Sequence, residues 1–289
     1  MKFIHELLVI FDRWLNGMTA NKQNFLIVKL IKLKTATKKI NYLSVNTLLI
    51  KGRIVFIAMD IGGLQKVSLI DYPDKISAII FTNGCVFKCH YCYNPGLVIA
   101  PYQQHLNWED VYDYLEQRKN VLDAVVITGG EPTLQNDLLD KIKLIKDLGY
   151  LVKLDSNGYL PFRLKPLLDS GLVDYVAMDI KGHNQQKYSE VTWQLIDFSL
   201  IKQSIEMIIN SGIDYEFRST VNKLQHPPDE IKKMAELIKG AKKYYLQQFR
   251  QNGQELVDPN FTAKGYSEKE MLQLVEMCKP LVDCCEMRV

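Results

Sequence analysis

The chain has 289 residues, of which 47% are hydrophobic and 24% are charged, and its formal net charge is +3. This is the composition of a globular protein with a core large enough to fold without disulfide bonds, so the six cysteines do not indicate a small secreted domain. We therefore expect a reducing, cytoplasmic compartment.

The basic residues are concentrated near the N-terminus. Residues 1–58 contain ten Lys and Arg against two Asp and Glu, whereas the remainder contains 26 against 31. The main body therefore has no basic excess of the kind that binds nucleic acid. The apolar run "YLSVNTLLIKGRIVFIA" is interrupted by charges and is too short to span a bilayer, so we predict no membrane partner.

We predict two parts in the chain. Residues 1–58 form a basic and apolar appendage, which is either poorly ordered or translated from a misassigned start. The alternative is a basic amphipathic surface helix over residues 3–33. Residues 59–289 form the compact domain, which begins at Met59.

From Met59 onward, short apolar runs rich in β-branched residues alternate with amphipathic segments of helical period. The predicted strands cover residues 76–82, 123–130, 150–158, 174–182, 213–221 and 242–250. The predicted helices cover residues 108–118, 134–149, 162–171, 198–212, 228–240 and 267–280. Asn107 is a predicted N-cap, and Ser267 with Glu270 predicts a capping box.

Six strands that alternate with helices predict a parallel sheet with right-handed crossovers. Because six is fewer than the eight strands of a closed TIM barrel, we expect an α/β fold that forms an open, partial (βα)6 barrel. Chemistry in such folds collects at the C-terminal ends of the strands. The most polar motifs follow strand ends here: the cysteine loop, "TGGEP", "DSNG", "MDIK" and "RST".

Three cysteines fall within "FTNGCVFKCHYCYNPG", where Cys85, Cys89 and Cys92 are spaced C-x3-C-x2-C. Thiolates bind soft metals, but a structural zinc or a ferredoxin-type cluster would take a fourth protein ligand. Three ligands favour an iron–sulfur cluster with one iron left open to a substrate. The distant Cys278, Cys284 and Cys285 are interpreted as free thiols on a terminal strand rather than as a second cluster.

The cysteine spacing, with the aromatic Tyr91 before the last cysteine, resembles the signature of the radical S-adenosylmethionine superfamily. The longer run "GGLQKVSLIDYPDKISAIIFTNGCVFKCHYCYNPGLV" resembles the activating enzymes of glycyl-radical enzymes, and most nearly those of anaerobic ribonucleoside-triphosphate reductase. The resemblance extends from about Ile61 to the C-terminus. One departure is Tyr93, which stands where the branch commonly has a histidine.

This resemblance implies a [4Fe–4S] cluster and S-adenosylmethionine as cofactors. The reduced cluster would cleave S-adenosylmethionine to a 5′-deoxyadenosyl radical, which takes a hydrogen atom from a glycine Cα of a partner enzyme. The implied partners are thus a glycyl-radical enzyme as protein substrate and a flavodoxin or ferredoxin as reductant.

The resemblance also assigns site residues. Cys85, Cys89 and Cys92 would hold the cluster, and the cofactor site would contain Tyr91, Gly129, Gly130, Glu131, Asp155, Ser156, Asn157, Asp179, Lys181 and Arg218. Asp155 and Asp179 would in addition form a pocket for a monovalent cation. Lys181 and Arg218 are candidates for the cofactor carboxylate, with solvated surface charge as the alternative for each.

Two other classes of function remain open at this point, a radical enzyme with a different substrate and a non-enzymatic protein. One is activation of another glycyl-radical enzyme, of the pyruvate formate-lyase type, or radical chemistry on a small molecule, as in a deazapurine synthase. The other is a non-enzymatic protein in which the cysteines are structural or carry electrons. The strand-end motifs "GGEP", "DSNG" and "MDIK" have no use in such a protein, and this favours the enzyme.

Overall fold

A computed structural model describes residues 47–50, 53–56, 59–250, 253 and 255–288. The chain divides into two units, Met1–Ile57 and Ala58–Val289. In the first unit, β1 (Thr47–Ile50) pairs antiparallel with β2 (Arg53–Phe56). The amphipathic helix considered for residues 3–33 lies outside the described residues.

The second unit is built on one sheet of eight strands in the order β10-β9-β8-β7-β6-β5-β4-β3. All neighbouring strands from β4 to β10 run parallel, and only β3 is antiparallel, to β4. The strands are β3 (Ile61–Ser68), β4 (Ser77–Thr82), β5 (Ala124–Gly129), β6 (Leu151–Ser156), β7 (Tyr175–Asp179), β8 (Asp214–Val221), β9 (Tyr244–Gln248) and β10 (Cys285–Arg288).

Helices connect the parallel strands. They are α1 (Pro95–Val98), α2 (Trp108–Arg118), α3 (Leu138–Asp147), α4 (Pro161–Asp169), α5 (Gln185–Thr192), α6 (Phe198–Ile209), α7 (Pro228–Leu237) and α8 (Glu268–Cys278). Short 3-10 turns cover Pro132–Leu134 and Lys279–Leu281. Apolar positions at helical spacing face the sheet, as in α3, where Leu138, Ile142 and Ile145 are buried.

The open, partial barrel predicted from the sequence is confirmed, with β4 to β9 as its six predicted strands. The capping box of Ser267 and Glu270 is present, whereas Asn107 occupies an N-cap position without a side-chain cap bond. The sequence prediction omitted β3, which has two glycines and an exposed "QKV" stretch, and the four-residue β10. Both flank the six predicted strands, at the two ends of the sheet.

The register of the parallel strands aligns their C-terminal ends. Thr82 pairs with Gly129, and Asp179 pairs with Arg218, so residues far apart in the sequence meet at one edge of the sheet. This edge contains the site described below. In the part of the chain that the structure describes, no helix combines the length and the apolarity needed to cross a bilayer.

Candidate active site

One cavity of about 210 Å³ lies at the C-terminal ends of β4 to β8. Every residue that the sequence assigned to the cluster or to the cofactor lines this cavity, from the three cysteines to Arg218. The lining also includes residues that the sequence analysis did not assign to the cluster or the cofactor: Phe87, Tyr93, Asn94, Val98, Thr128, Pro132 and Thr220. Thr128 and Thr220 lie in strands β5 and β8, so strand alternation could have predicted them.

The cysteine loop follows β4 directly. Cys85, Cys89 and Cys92 are free thiols, and Cys89 is buried, with 7% of its surface exposed. The loop turns back on itself, because the Cys92 N–H donates to the Cys89 carbonyl at 3.0 Å. The three sulfurs therefore line one wall of the cavity on a single short segment.

Burial raises the pKa of each of these thiols. The pKa of Cys89 rises to about 11, although the nearby Lys181 ammonium lowers it in part, and the pKa values of Cys85 and Cys92 are also raised. In the free protein the thiols are thus protonated at neutral pH. A metal centre that binds here must displace these protons, because the thiolate is the ligand.

The segment after β9 packs over the cysteine loop. Val257 N–H donates to the Cys92 carbonyl at 3.0 Å, and the His90 Nδ1 lies 2.8 Å from the Asp258 carboxylate. Tyr93, the residue that departs from the family pattern, donates its hydroxyl to the Arg250 carbonyl at 2.9 Å and accepts from the Arg250 N–H at 2.8 Å. Tyr93 therefore anchors the loop.

The Tyr91 side chain is buried away from solvent, with 5% exposed. Its ring packs against Phe249 and Phe261 at centroid distances of 6.2 and 6.3 Å. The ring of Phe249 also stacks on Tyr93 at 5.7 Å. Phe249 is 1% exposed, so it supports the cysteine loop from within the core.

The "TGGEP" turn after β5 touches the cysteine loop through its backbone. Gly129 has a φ of +121°, and a Cβ there would lie 2.3 Å from the Thr82 nitrogen. A Cβ on Gly130 would lie 2.0 Å from the Gly84 carbonyl oxygen, which also accepts the Glu131 N–H at 2.7 Å. Only glycine permits this approach of two backbones.

The Glu131 carboxylate is buried and faces the neighbouring strand end. Its Oε1 accepts from the Thr133 N–H at 3.1 Å, the Thr133 hydroxyl at 2.6 Å and the Ser156 hydroxyl at 2.9 Å. Its Oε2 accepts from the Asn157 N–H at 2.7 Å. Burial raises the pKa of Glu131, although these donors oppose the rise. Glu131 thus joins the turn after β5 to the turn after β6.

Asn157 continues this connection toward the cysteines. Its side-chain Nδ2 donates to the Cys85 sulfur at 3.8 Å, and its Oδ1 accepts the Tyr159 N–H at 2.9 Å. The chain from Glu131 through Asn157 to Cys85 therefore fixes the third strand-end motif against the cysteine loop.

Asp155 and Asp179 are joined by a guanidinium. Arg218 Nη1 lies 3.1 Å from Asp155 Oδ2, and its Nε lies 3.2 Å from Asp179 Oδ1. Lys153 lies 2.9 Å from Asp155 Oδ1, and Lys181 lies 3.3 Å from Asp179 Oδ2. The expected pocket for a monovalent cation is not supported, because basic side chains of the protein occupy the space between and beside the two carboxylates.

Ion pairing sets the protonation of this group. Burial raises the pKa of Asp155, but the charges of Arg218 and Lys153 outweigh burial and hold it below its usual value. The same balance, with Lys181 as the largest charge, lowers the pKa of Asp179. Both carboxylates are therefore ionised at neutral pH. The sequence analysis missed Lys153, whose side chain is 2% exposed.

A buried histidine, His226, which the sequence analysis also missed, contacts the backbone of Lys181. The Nε2 of His226 lies 3.3 Å from the Lys181 carbonyl oxygen, and its Nδ1 lies 3.5 Å from the Asn222 nitrogen. Burial lowers the pKa of His226 to about 4, so the imidazole is neutral near pH 7. His226 lies in the loop between β8 and α7, and no motif in the sequence pointed to it.

The donors suit an iron–sulfur cluster better than a single ion. Among the described residues, no group of three or more His, Cys, Asp or Glu side chains is placed to hold one metal ion. A cluster engages each thiolate through a different iron, so its ligands need not converge on one point. The rest of the lining contains carboxylates and ammonium or guanidinium groups. These groups are complementary to the ammonium and the carboxylate of a bound amino acid moiety.

Comparison with known proteins identifies the family. A family model described as the radical SAM superfamily matches residues 79–239. Two Methanocaldococcus jannaschii proteins, both provisionally named glycyl-radical enzyme activating enzymes, are 32% and 31% identical to this chain. The alignments cover 77% and 75% of this chain and 93% and 81% of those proteins. The pyruvate formate-lyase-activating enzyme of Clostridium pasteurianum is 28% identical over 63% of this chain and 77% of its own length.

Solved structures share the fold at lower identity. SuiB of Streptococcus suis bound to its precursor peptide SuiA superposes with a TM-score of 0.57 and 14% identity, over 72% of this chain and 48% of SuiB. TYW1 with a lysine-pyruvate adduct has a TM-score of 0.52 and 16% identity, over 71% of this chain and 73% of TYW1. Together, the strand-end cavity, the family match and the sequence identity show that this chain belongs to the radical SAM superfamily, in the branch of the glycyl-radical enzyme activating enzymes.

Proposed function

We propose that this chain generates a glycyl radical on a partner enzyme of the pyruvate formate-lyase type. Three pyruvate formate-lyase-activating enzymes from Listeria, each 28% identical over 48% of this chain, add to the one from Clostridium in supporting this choice. Anaerobic ribonucleoside-triphosphate reductase, the partner expected from the sequence, receives no specific support from these relatives. A small-molecule substrate is less well supported, because the relatives of that kind, two Halobacterium salinarum proteins provisionally named GTP 3′,8-cyclases, are 30% identical over 50% of this chain but only 42% of their own length.

Radical SAM enzymes use a [4Fe–4S] cluster and S-adenosylmethionine, and the cavity fits both. When bound, they supply a one-electron reductive bond cleavage that leads to removal of a hydrogen atom from the substrate. In our proposal, Cys85, Cys89 and Cys92 hold the cluster. A one-electron carrier, a flavodoxin or a ferredoxin, would be the reductant.

The other cavity residues bind and orient the cofactor in this proposal. Gly129 and Gly130 bring main-chain groups close to the cofactor, and Tyr91 contributes its backbone while its ring remains in the aromatic cluster. Lys181 offers a cation to the cofactor carboxylate, and the ionised Asp179 suits its ammonium group. Glu131 acts indirectly: its carboxylate holds Ser156 and Asn157 in position beside the cofactor.

A single observation carries the proposal: the motifs in and after the C-terminal parts of strands β4, β5, β6, β7 and β8 all line one cavity. A non-enzymatic electron carrier would require the cysteines but none of the other four motifs. The sequence resemblance and the geometry thus support the same kind of chemistry independently.

The test compares two partners. The full chain is reconstituted anaerobically with iron and sulfide, reduced, and mixed with S-adenosylmethionine and either a pyruvate formate-lyase-type enzyme or an anaerobic ribonucleotide reductase from the same genome. Electron paramagnetic resonance then counts glycyl radicals, and release of 5′-deoxyadenosine is measured in parallel. We expect a radical on the first enzyme and none with a Cys92→Ala variant of this chain. A glycyl radical on the reductase alone would overturn the proposal and identify the reductase as the partner, as the sequence resemblance implied. Cleavage of the cofactor without a radical on either enzyme would refute activation of both.

A further inference from the structure

A group of charged side chains in the cavity lies between β6, β7 and β8. Arg218 reaches Asp155 at 3.1 Å and Asp179 at 3.2 Å with two different nitrogens of one guanidinium. The side chains of Arg218 and Asp155 are each 13% exposed, so water screens this contact poorly. Two carboxylates that lie this close to one group repel each other unless a cation separates them.

The protein supplies more than enough positive charge by itself. Lys153 pairs with Asp155, and Lys181 pairs with Asp179. With Arg218, three cations therefore face two carboxylates, and the next carboxylate behind them, Glu216, is paired with Arg288 at 2.7 Å. A metal cation placed between Asp155 and Asp179 would meet a guanidinium that already occupies that position.

We propose that Arg218 is a built-in cation, which bridges Asp155 and Asp179 in place of a monovalent metal ion and holds both carboxylates at the cofactor cavity. A guanidinium is charged at every accessible pH and its planar fork engages two acceptors at once, so it fixes carboxylate geometry better than a mobile ion does. Consequently, cofactor binding by this chain does not depend on added sodium or potassium. This inference rests on the placement of the cofactor in the cavity, which belongs to the proposed function.

The experiment measures binding of S-adenosylmethionine to the reconstituted full chain by isothermal titration calorimetry. Tetramethylammonium, which is too large to enter a site between two carboxylates, is the only cation present at first. Sodium, potassium or guanidinium chloride is then added at millimolar concentration. For the unchanged protein we expect the same dissociation constant in all four solutions.

In Arg218→Ala we expect binding to weaken by about tenfold or more in tetramethylammonium, and to recover at least in part when guanidinium or a metal cation is added. Arg218→Lys, which keeps one charge but loses the fork, should lie between the two. Arg118→Ala, at the C-terminal end of α2, removes an arginine far along the chain from these motifs and should change nothing.

A decarboxylated analogue of S-adenosylmethionine separates this role from direct contact with the cofactor. If Arg218 acts as a bridge, Arg218→Ala weakens binding of the analogue and of S-adenosylmethionine by the same factor. If Arg218 instead binds the cofactor carboxylate, only S-adenosylmethionine binds more weakly, and that result overturns the proposal. Equal binding by Arg218→Ala and the unchanged protein in tetramethylammonium would overturn it as well.

Thermal unfolding of the same variants gives a readout that needs no cofactor. Arg218→Ala leaves two carboxylates without their shared cation, so its unfolding midpoint should fall, and a second change, Asp179→Asn, should restore part of the loss. If Asp179→Asn instead lowers the midpoint of Arg218→Ala further, the bridge is not the source of stability. Neither measurement involves a glycyl-radical enzyme, so failure here is distinguishable from failure of the partner assignment.

Discussion

The Oε2 atom of Glu131 accepts a hydrogen bond from the backbone N–H of Asn157 at 2.7 Å. This bond links the turn after β5 to the turn after β6, although the two residues are separated by 26 positions in the sequence. The same carboxylate is fully buried and accepts three further hydrogen bonds at Oε1. Glu131 is therefore part of the frame that shapes the cavity.

This arrangement predicts that Glu131→Gln destabilises the protein. Both carboxylate oxygens of Glu131 accept hydrogen bonds, so the NH₂ group of the new glutamine would face a donor instead of accepting from it. A buried unsatisfied donor costs about 1–3 kcal/mol. We expect the free energy of unfolding, measured by denaturant titration, to fall by that amount. Glu236→Gln, at an exposed position on α7, is the control and should have little effect. A Glu131→Gln variant as stable as the unchanged protein would show that the carboxylate is not needed for the frame.

The cysteines allow a direct test of cluster ligation. Replacing Cys85, Cys89 or Cys92 with alanine should remove most of the iron and acid-labile sulfide that the protein binds on anaerobic reconstitution, because each change deletes one of three ligands. Cys284→Ala is the matched control, since this thiol lies on the segment before β10 and outside the cavity. Equal loss of iron in Cys284→Ala would mean that the C-terminal cysteines take part in the cluster.

Gly130 gives a sharper test of how the turns are assembled. A methyl group there would lie 2.0 Å from the Gly84 carbonyl oxygen, so Gly130→Ala must push the "TGGEP" turn away from the cysteine loop. We expect a loss of about 3 kcal/mol in stability and reduced iron content after reconstitution.

Gly63→Ala is the control for this change. A Cβ on Gly63 would meet its nearest atom, in the Phe81 ring, at an ordinary contact distance of 3.6 Å. If Gly130→Ala keeps the iron content and the unfolding midpoint of Gly63→Ala, the close approach of the two backbones is not important for the site.

The sequence was most informative where one residue type is chemically required. Three cysteines at fixed spacing and a glycine pair after a strand are such cases, and both line the predicted cavity. The strands β4 to β9 were predictable because each is a short apolar run followed by a polar motif. By contrast, β3 and β10 lie at the ends of the sheet, where fewer side chains need to be buried, so their hydrophobic pattern is weak.

The pairing of charges could not be read from the sequence. Strand alternation puts Glu216 and Arg218 on the same face of β8, but it does not say which carboxylate Arg218 meets. That depends on the register with β7, where Asp179 lies opposite Arg218, and on the reach of a long side chain to Asp155 on β6. The family resemblance implied a metal cation here, whereas basic side chains of the protein itself neutralise both carboxylates.

His226 predicts how stability depends on pH. Its pKa is lowered from 6.5 to about 4, chiefly by burial; the contact with the Lys181 carbonyl opposes this shift, and the ammonium groups of Lys187 and Lys181 add to it. Between these two pH values the unfolded chain binds a proton that the folded chain does not. Stability from this residue is therefore complete above pH 6.5 and falls as the pH approaches 4, by up to about 3 kcal/mol.

His226→Gln removes this titration while it keeps a polar group that can reach the Lys181 carbonyl. We expect the unfolding midpoint of the unchanged protein to fall more steeply between pH 6.5 and 4.5 than that of His226→Gln, so that the two curves converge on the acidic side. His105→Gln removes a histidine whose side chain is 61% exposed and leaves His226 in place, so it should keep the steep fall of the unchanged protein over this range. Parallel curves for His226→Gln would mean that His226 takes up its proton in the folded state as easily as in the unfolded chain, contrary to its burial beneath Lys181.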